Sequence, residues 1–557
     1  MKSELKHGSF VKRFDAKCFI ALADLNIDVY EVCILCFFVL VGFLETLAQH
    51  PTAVYGHYPI FKDKDQNPIV RINIPVTASD SLESLNIDLK GAGSLIKSLR
   101  IYSTGTSNSF NDSMLVADVE PSSDHIIVKM GRLLNMGDNN YWVSARLSKK
   151  AKLLDRIAIG ITSVVLSKGG LISLNKPAES PFRVGITLRK KGDDNIHTYR
   201  IPGLAATAKG TSIAVYDNRY TGSGDLQGDI DVGMSRSTDG GETWEPMRVI
   251  MDLGEYGGLP QNQNGIGDPA ILVDKESNTI WVAAVWAHAH PNKANWWASS
   301  PGMLPNETSQ LILVKSTDDG KTWSKPINIT PQVKDSSWQL LLQGPGAGIM
   351  LKDGTLVFAA QFKKDIGVPA IDGGKYTCHS TILYSKDKGQ TWAIGTGAKS
   401  NTTEAQVVEL ADGSLMLNMR DDRNRKEKGP NNGRAVAITT DLGKTWRVHS
   451  SSNGALPEPN CMASIIRVDC KIDGKKKPVL FFSNPNSKNS RSNMSIQTSF
   501  DEGATWSEKR KLLYNANDCY GYSCLTQIDS NTIGVLYEGA GDLYFQKFKI
   551  KEFVENK

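Results

Sequence analysis

The sequence predicts an all-β protein, a six-bladed β-propeller preceded by a smaller β-sandwich-like domain, on three observations. One turn pattern, Ser/Thr-x-Asp-x-Gly-x-x-Trp, recurs five times, as STDGGETW at Ser237, STDDGKTW at Ser316, SKDKGQTW at Ser385, TTDLGKTW at Thr439 and SFDEGATW at Ser499. Alternating apolar residues run into most copies, as in LILVK before Ser316 and MSIQT before Ser499, which is the period of a strand entering a turn. The aspartates Asp239, Asp318, Asp387, Asp441 and Asp501 lie 79, 69, 54 and 60 residues apart. That spacing suits one four-stranded antiparallel sheet per repeat, and such sheets arranged radially make a propeller. The roughly 370 residues from position 185 onward hold about six such units, so one blade lacks a box.

Each residue type in the box has a physical task. The Asp carboxylate accepts backbone N–H groups across a tight turn, and Gly supplies a positive φ without Cβ strain. Trp, three residues later, lays a large apolar face against neighbouring strands and pins the turn to the layer beneath.

At 557 residues the chain exceeds one ordinary domain, so two folded units plus a leader are expected. Hydrophobic residues at 40%, charged residues at 22% and 49 glycines place it among turn-rich globular β proteins and exclude a disordered or fibrous one. The net charge of +5 is spread thinly, and the basic run Lys475 to Lys477 reads as a solvated loop, so no nucleic-acid partner is expected.

Residues 1–48 read as a leader. Val32 to Leu44 (VCILCFFVLVGFL) is too short to span a bilayer comfortably but suits the core of a signal peptide, and Thr46-Leu47-Ala48 resembles a cleavage site. Basic residues do not directly flank the run: Asp28 and Glu31 precede it, with Lys12, Arg13 and Lys17 further back, as an over-extended start would produce. Export to the periplasm, cell surface or medium without stable membrane insertion is the expectation, with a membrane anchor as the alternative. Beyond the leader lie Cys378, Cys461, Cys470, Cys519 and Cys524, an odd number that forbids complete pairing. Bridges Cys461–Cys470 or Cys519–Cys524 and buried free thiols both stay open. The one CxxC, Cys33 to Cys36, lies in the leader, and no His cluster points to a metal.

Residues 49–180 contain no box and read as short β segments, VRINIPV at Val70, LNIDLKG at Leu85 and AIGITSVVL at Ala158, forming an accessory β domain. Tyr141 and Trp142 in DNNYWVSARL suit either a sugar-binding face or the core of a sandwich. Ser167 to Phe182 has the composition of a linker, and residues 183–557 form the propeller.

Just inside the propeller stands HTYRIPGLAATAKG, with Arg200 in Tyr199-Arg200-Ile201-Pro202, Arg219 following 19 residues on, and then Asp225 in TGSGDLQGD. An (F/Y)RIP element ahead of repeated Asp boxes resembles the bacterial exo-sialidases (neuraminidases), whose catalytic domain is a six-bladed propeller. The resemblance covers roughly Arg183 to the C-terminus, and the preceding β module is similar to the N-terminal domain some of these secreted enzymes carry.

The resemblance implies an arginine triad gripping a substrate carboxylate: Arg200, Arg420 in LMLNMRDDR, and Arg491 in SNPNSKNSRSNMSIQTSFDEG. Arg suits that task because its planar, permanently charged fork donates paired hydrogen bonds to a carboxylate. Glu538 in GVLYEG matches the acid that orients the first arginine, and Tyr522 in YGYSCLT and Glu404 in NTTEAQVVEL match a nucleophile and its base. Tyr520 is the competing phenol. A neutral phenol approaches an anomeric carbon that bears a carboxylate, whereas an anionic Asp or Glu is repelled. Tyrosine-nucleophile sialidases are a recognised exception to two-carboxylate glycosidases. Asp225 matches the acid/base residue on a mobile, glycine-containing loop, and Arg219 and Asp268 match positions near the sugar's O4 and N-acetyl groups.

The implied reaction is retaining hydrolysis of terminal α-linked sialic acids on glycoproteins, glycolipids and oligosaccharides through a covalent sialyl-tyrosine, with no metal and no cofactor. Two rivals stand beside it: a trans-sialidase, with Trp286, Trp296 and Trp297 as candidate acceptor-site aromatics, and a non-catalytic sialoglycan-binding propeller. No oligomeric state is implied.

Overall fold

A computed structural model describes residues 50–174, 181–226, 228–287 and 294–555, so the leader with its CxxC and cleavage site lies outside the described residues. No helix among these residues is long and apolar enough to cross a membrane. Nearly all regular structure is β.

The N-terminal part is a sandwich. Its five-stranded sheet runs Thr52–Tyr55, Pro68–Asn73, Asn140–Leu147, Ile96–Gly105, Leu115–Val119, and its four-stranded sheet runs Gly170–Ser173, Gly160–Leu166, Asp80–Asp88, His125–Leu134. Strict alternation along Asn140–Leu147 sends Tyr141, Val143, Ala145 and Leu147 into the core. Tyr141 is therefore core, and Trp142 lies on the outer face with the edge of Phe110 against it at 5.9 Å. The linker expected over Ser167 to Phe182 needs correction: Gly170–Ser173 is the edge strand of the sandwich, Phe182–Arg189 is a propeller strand, and residues 175–180 lie outside the described residues.

Six four-stranded sheets form the propeller. Their inner strands are Thr198–Ala206, Gly265–Asp274, Leu340–Gln343, Thr402–Glu409, Ser464–Ile472 and Ser523–Asp529, one per blade. Blades one and two touch through a parallel bridge between Ile230 and Gly265. The ring closes on itself: Phe182–Arg189, from the start of the domain, pairs antiparallel with Leu543–Lys549 and becomes the outer strand of blade six. This explains the missing sixth box, because the third strand of that blade is followed by the short helix Lys551–Val554 rather than by a turn into a fourth strand.

The same closing strand pairs with Ile60–Phe61 and with Arg156–Ile157 of the sandwich side. One apolar core consequently continues from the sandwich into blades one and six. Glu552 bolts the junction by accepting from Arg156 at 2.8 Å and from Arg183 at 2.6 Å.

All five boxes repeat one hydrogen-bond network. The Ser or Thr hydroxyl donates to Asp at 2.8 Å and accepts the Gly N–H at 2.8–2.9 Å, while Asp accepts the N–H and hydroxyl of the following Thr. The Gly has φ between 77° and 87° in every copy, as at Gly241, where a Cβ would also stand 2.2 Å from the Phe545 ring. Trp244 meets the edge of that same ring at 5.3 Å. All five cysteines among the described residues are free thiols, four of them buried and Cys519 half-buried, so neither Cys461–Cys470 nor Cys519–Cys524 is bridged.

Candidate active site

Inner strands begin on one face of the ring, and second strands end there. Three inner strands carry a bulge at that height: Arg200 to Gly203 in blade one, Gly267 to Ala270 in blade two and Thr403 to Ala405 in blade four. A bulge re-aims side chains, and here it turns Arg200, Asp268 and Glu404 toward a central cavity of about 450 Å³. Ile201 and Asp268 adopt φ of 56° and 55°, a left-handed conformation that a β-branched Ile tolerates only under firm restraint. Glu538, at the end of the second strand of blade six, supplies it by accepting the Ile201 N–H at 2.9 Å.

The three arginines converge. Arg200 donates Nε to Glu538 at 3.1 Å, and its guanidinium carbon lies 4.9 Å from the Tyr520 ring centre and 5.3 Å from that of Tyr522. Arg420 donates Nη1 to the Tyr522 hydroxyl at 3.1 Å and to Glu404 at 2.6 Å. Arg491 lies 5.6 Å from the Tyr522 ring centre and donates to the carbonyls of Tyr520 and Asn460 at 2.9 and 3.2 Å. Asn460 couples two members, since its side-chain oxygen also accepts from Arg420 at 2.9 Å.

Tyr522 donates its hydroxyl to Glu404 in a short hydrogen bond, and its N–H goes to Glu538 at 2.9 Å. Burial, then the adjacent Glu404 charge, pushes the phenol well above its ordinary value, so it rests neutral. Burial also pulls Glu404 upward, but Arg420, the Tyr522 hydrogen bond and Arg491 outweigh it and hold this carboxyl below the usual glutamate value. A neutral phenol faces an ionised carboxylate, with the Arg420 guanidinium bridging both. Tyr520 is instead a platform under Arg200, its hydroxyl uninvolved in this pair.

Asp225 stands at the mouth with 75% of its side chain exposed, 2.9 Å from Arg219 and 3.4 Å from Arg200. Partial desolvation raises its carboxyl, yet Arg219 and Arg200 hold it below the ordinary aspartate value. Asp268 lines the cavity, and burial followed by the neighbouring Asp217 charge raises its carboxyl well above normal. Of the expected residues, Arg219 and Glu538 are not on the wall: the Arg219 side chain is 1% exposed, packed beneath the loop that carries Asp225, and Glu538 is wholly buried behind Arg200.

Sequence reasoning missed Asn460 and Asp217, which act through neighbours rather than through a motif. Of the three tryptophans, Trp296 and Trp297 line the cavity, whereas Trp286 is fully buried in blade two and cannot meet an acceptor. Lys363 is buried beneath the pair, its ammonium 4.1 Å from the Trp296 ring centre and 4.9 Å from that of Trp297. Among the described residues no group of three or more His, Cys, Asp or Glu side chains is placed to hold a metal ion.

A propeller whose axis ends in a cavity with three guanidinium groups around a phenol–carboxylate pair belongs to the class of propeller enzymes that act on a small anionic group. Comparison with known proteins narrows the class. Residues 214–535 match the BNR repeat-like domain, and residues 48–169 match the N-terminal domain of BNR-repeat neuraminidase. The chain is 42% identical over 554 residues to a sialidase of Bacteroides fragilis, covering 94% of this chain and 98% of that one. A sialidase of Micromonospora viridifaciens is 31% identical over 378 residues, 67% of this chain and 55% of the relative. Among solved structures, Hadza microbial sialidase Hz136 superposes with a TM-score of 0.82 at 42% identity, over 90% of this chain and all of that chain. The chain belongs to the BNR-repeat neuraminidases, and its enzyme class is exo-α-sialidase, a glycoside hydrolase.

Proposed function

We propose that this sialidase is a retaining enzyme that releases terminal α-linked sialic acid from glycoproteins, glycolipids and oligosaccharides through a covalent sialyl-tyrosine. One observation carries the reading: Arg200, Arg420 and Arg491 surround the ring or hydroxyl of Tyr522, whose proton already points at Glu404. The sugar carboxylate binds the three guanidinium groups, which sets the anomeric carbon against the phenol oxygen. Its arrival draws Arg200 away from Asp225 and adds a negative charge nearby, and both effects raise the Asp225 carboxyl toward the protonated form a general acid needs.

In the first step the phenol oxygen bonds to the anomeric carbon as its proton passes to Glu404. The glycosidic oxygen leaves with the proton of Asp225. In the second step Asp225 takes a proton from water, the hydroxyl bonds to the anomeric carbon, and Tyr522 departs and regains its proton from Glu404. Arg420 stays on both Glu404 and the phenol oxygen throughout, where it stabilises the charge that moves between them.

Hydrolysis of a nitrophenyl α-sialoside tests this. Tyr522→Phe is expected to lower kcat by more than about 10²-fold while an unreactive sialic acid analogue still binds. A 2,3-difluorosialic acid should leave a covalent adduct on the Tyr522 peptide, and the α-anomer should appear first by NMR. An adduct elsewhere, or the β-anomer first, sinks the mechanism. Adding lactose as an acceptor distinguishes hydrolysis from transfer, since a trans-sialidase diverts the intermediate to sialyllactose.

We also propose export, supported by the apolar run Val32 to Leu44 and by the size of the glycan substrates. Fractionation of the producing cells checks it, and an enzyme confined to the cytoplasm refutes it.

A further inference from the structure

We propose that Arg425, on the rim of the cavity with Trp297 and Ile371, forms a subsite for the leaving sugar and favours leaving sugars that carry an acid group of their own, a sulfate ester or a second carboxylate. The inference deepens the proposed function and rests on the reading of Asp225 as the acid, since that residue marks where the glycosidic oxygen stands.

Exposure divides the cavity wall into floor and rim. Four lining residues face solvent, Asp225, Trp297, Ile371 and Arg425, the last with 46% of its side chain exposed. The other lining residues are buried or half-buried. A sugar bonded to the oxygen beside Asp225 therefore leaves across this rim.

Arg425 ends the short turn Asp422–Arg425, which follows the second strand of blade four, Leu415–Asp421, the strand that carries Arg420. Its Nε donates to Asp422 at 3.3 Å, and its Nη2 lies 3.2 Å from the same oxygen, which also accepts from Asn460 at 3.2 Å. One carboxylate oxygen shared among three donors holds the root of the guanidinium without using it up. Among the described residues Nη1 has no hydrogen-bond partner. A planar, permanently charged fork with an open edge suits the paired oxygens of a sulfate or carboxylate.

The carboxylates at this height are already paired. Asp225 faces Arg219 at 2.9 Å and Arg200 at 3.4 Å. Asp372 accepts from Trp296 Nε1 at 3.0 Å, and the Lys363 ammonium lies 3.7 Å from it. Beyond Arg425, Lys426 and Lys428 are exposed, while the Glu427 carboxylate turns back to accept the Gly429 N–H. This side of the rim is cationic.

Trp297 supplies the uncharged part of the subsite. Its ring packs on the loop that carries Ile371, so closely that a Cβ on Gly374 would stand 3.0 Å from it, and half of the residue stays exposed. An open indole offers an apolar surface to the C–H face of a sugar whatever its charge. Arg425 adds the discrimination.

The experiment assays the full chain on 3′-sialyllactose, whose leaving sugar is neutral, on a 6-sulfated 3′-sialyllactosamine, and on α2,8-disialyllactose, whose leaving sugar brings a carboxylate. Nitrophenyl α-sialoside reports the chemistry, and the folding of each variant, without a leaving sugar. Arg425→Gln should lose about tenfold or more in kcat/KM on the two acidic substrates, mainly through KM, and less than about threefold on the other two. Each substrate is compared with itself across variants, so differences in linkage cancel. Arg425→Lys, which keeps the charge but not the fork, should fall between. Raising salt to about 0.5 M should weaken wild type on the acidic substrates more than it weakens Arg425→Gln. A loss confined to the sulfated or to the disialyl substrate supports the subsite and identifies the acid it takes. Equal losses on all four substrates, or none on either acidic one, overturn it. Asp225→Ala separates the two readings: if it loses no more on sialyllactose than on the nitrophenyl substrate, the acid assignment falls and takes the rim argument with it; if it shows that split while Arg425→Gln shows no charge effect, the subsite alone fails.

Discussion

Glu538 and Arg200 are 338 positions apart in the chain and 3.1 Å apart in the fold, where they join blade six to blade one. The same carboxylate also receives the N–H groups of Ile201 and Tyr522, each at 2.9 Å. One buried group thus aims Arg200 at the cavity, restrains a left-handed backbone and places the strand that bears the phenol. Replacing Glu538 by Ala leaves Arg200 without its buried partner and is expected to cost about 3–5 kcal/mol. Glu538→Gln should fold more stably but raise KM for sialosides, since one amide oxygen cannot serve three donors. Denaturant melts and KM values check both, and an unchanged KM in Glu538→Gln shows that Arg200 is aimed without it.

Acid sensitivity should concentrate at the junction between sandwich and propeller. Burial raises the Glu552 carboxyl, but Arg183 and Arg156 outweigh it and hold it at about 2. A carboxyl lower in the folded state than in the unfolded chain stabilises the fold above its unfolded value and loses that contribution as pH falls toward the folded one. Stability should therefore decline from roughly pH 4.5 down to about 2, by up to about 3 kcal/mol from this group. Glu552→Gln should be less stable near neutral pH and show a flatter acid limb in thermal melts. A variant with the wild-type pH slope contradicts the assignment.

Gly241 tests the box as a packed device rather than a loop ornament. Alanine there meets a φ of 87° and places its Cβ 2.2 Å from the Phe545 ring, across the seam that closes the propeller. The expected loss is at least about 2 kcal/mol, read as a lowered melting temperature with normal specific activity in the folded fraction. A melting curve like that of the wild type removes the argument.

Asp268 should tolerate loss of its charge better than loss of its shape. Burial and Asp217 raise its carboxyl well above the ordinary range, so the site disfavours the negative charge. Asp268→Asn is expected to retain kcat/KM within about tenfold, whereas Asp268→Ala opens the wall and loses more. Equal damage from both substitutions would mean that the ionised carboxylate is what the sugar meets.

Local requirements made much of this molecule readable from the chain. Every interaction that defines a box lies within eight residues, so Ser237, Asp239, Gly241 and Trp244 announce their turn wherever the turn sits. Arg200, Arg420, Arg491, Glu404 and Tyr522 were reachable through their motifs, and the fold gathers them around one cavity. Arg219 was reachable in the same way but not its place, because nothing near it in sequence says that Ser223 and Gly224 fold over it. Asn460 carries no motif; its value lies in two arginines that arrive from blades four and five. The linker over Ser167 to Phe182 looked free because Gly and Pro mark turns without telling which strand follows.

Turn chemistry and strand period act over a handful of residues, and from them the linear chain settled the repeat, the blade count and the kinds of side chain available for chemistry. Ring closure settled the rest. Pairing Phe182–Arg189 with Leu543–Lys549 places Glu538 beside Arg200, and bulges at the starts of inner strands turn side chains from separate blades into one space. Which arginines line the cavity, which one packs beneath a loop, and which tryptophan reaches the cavity depend on how separate segments are brought together, and no local pattern encodes that.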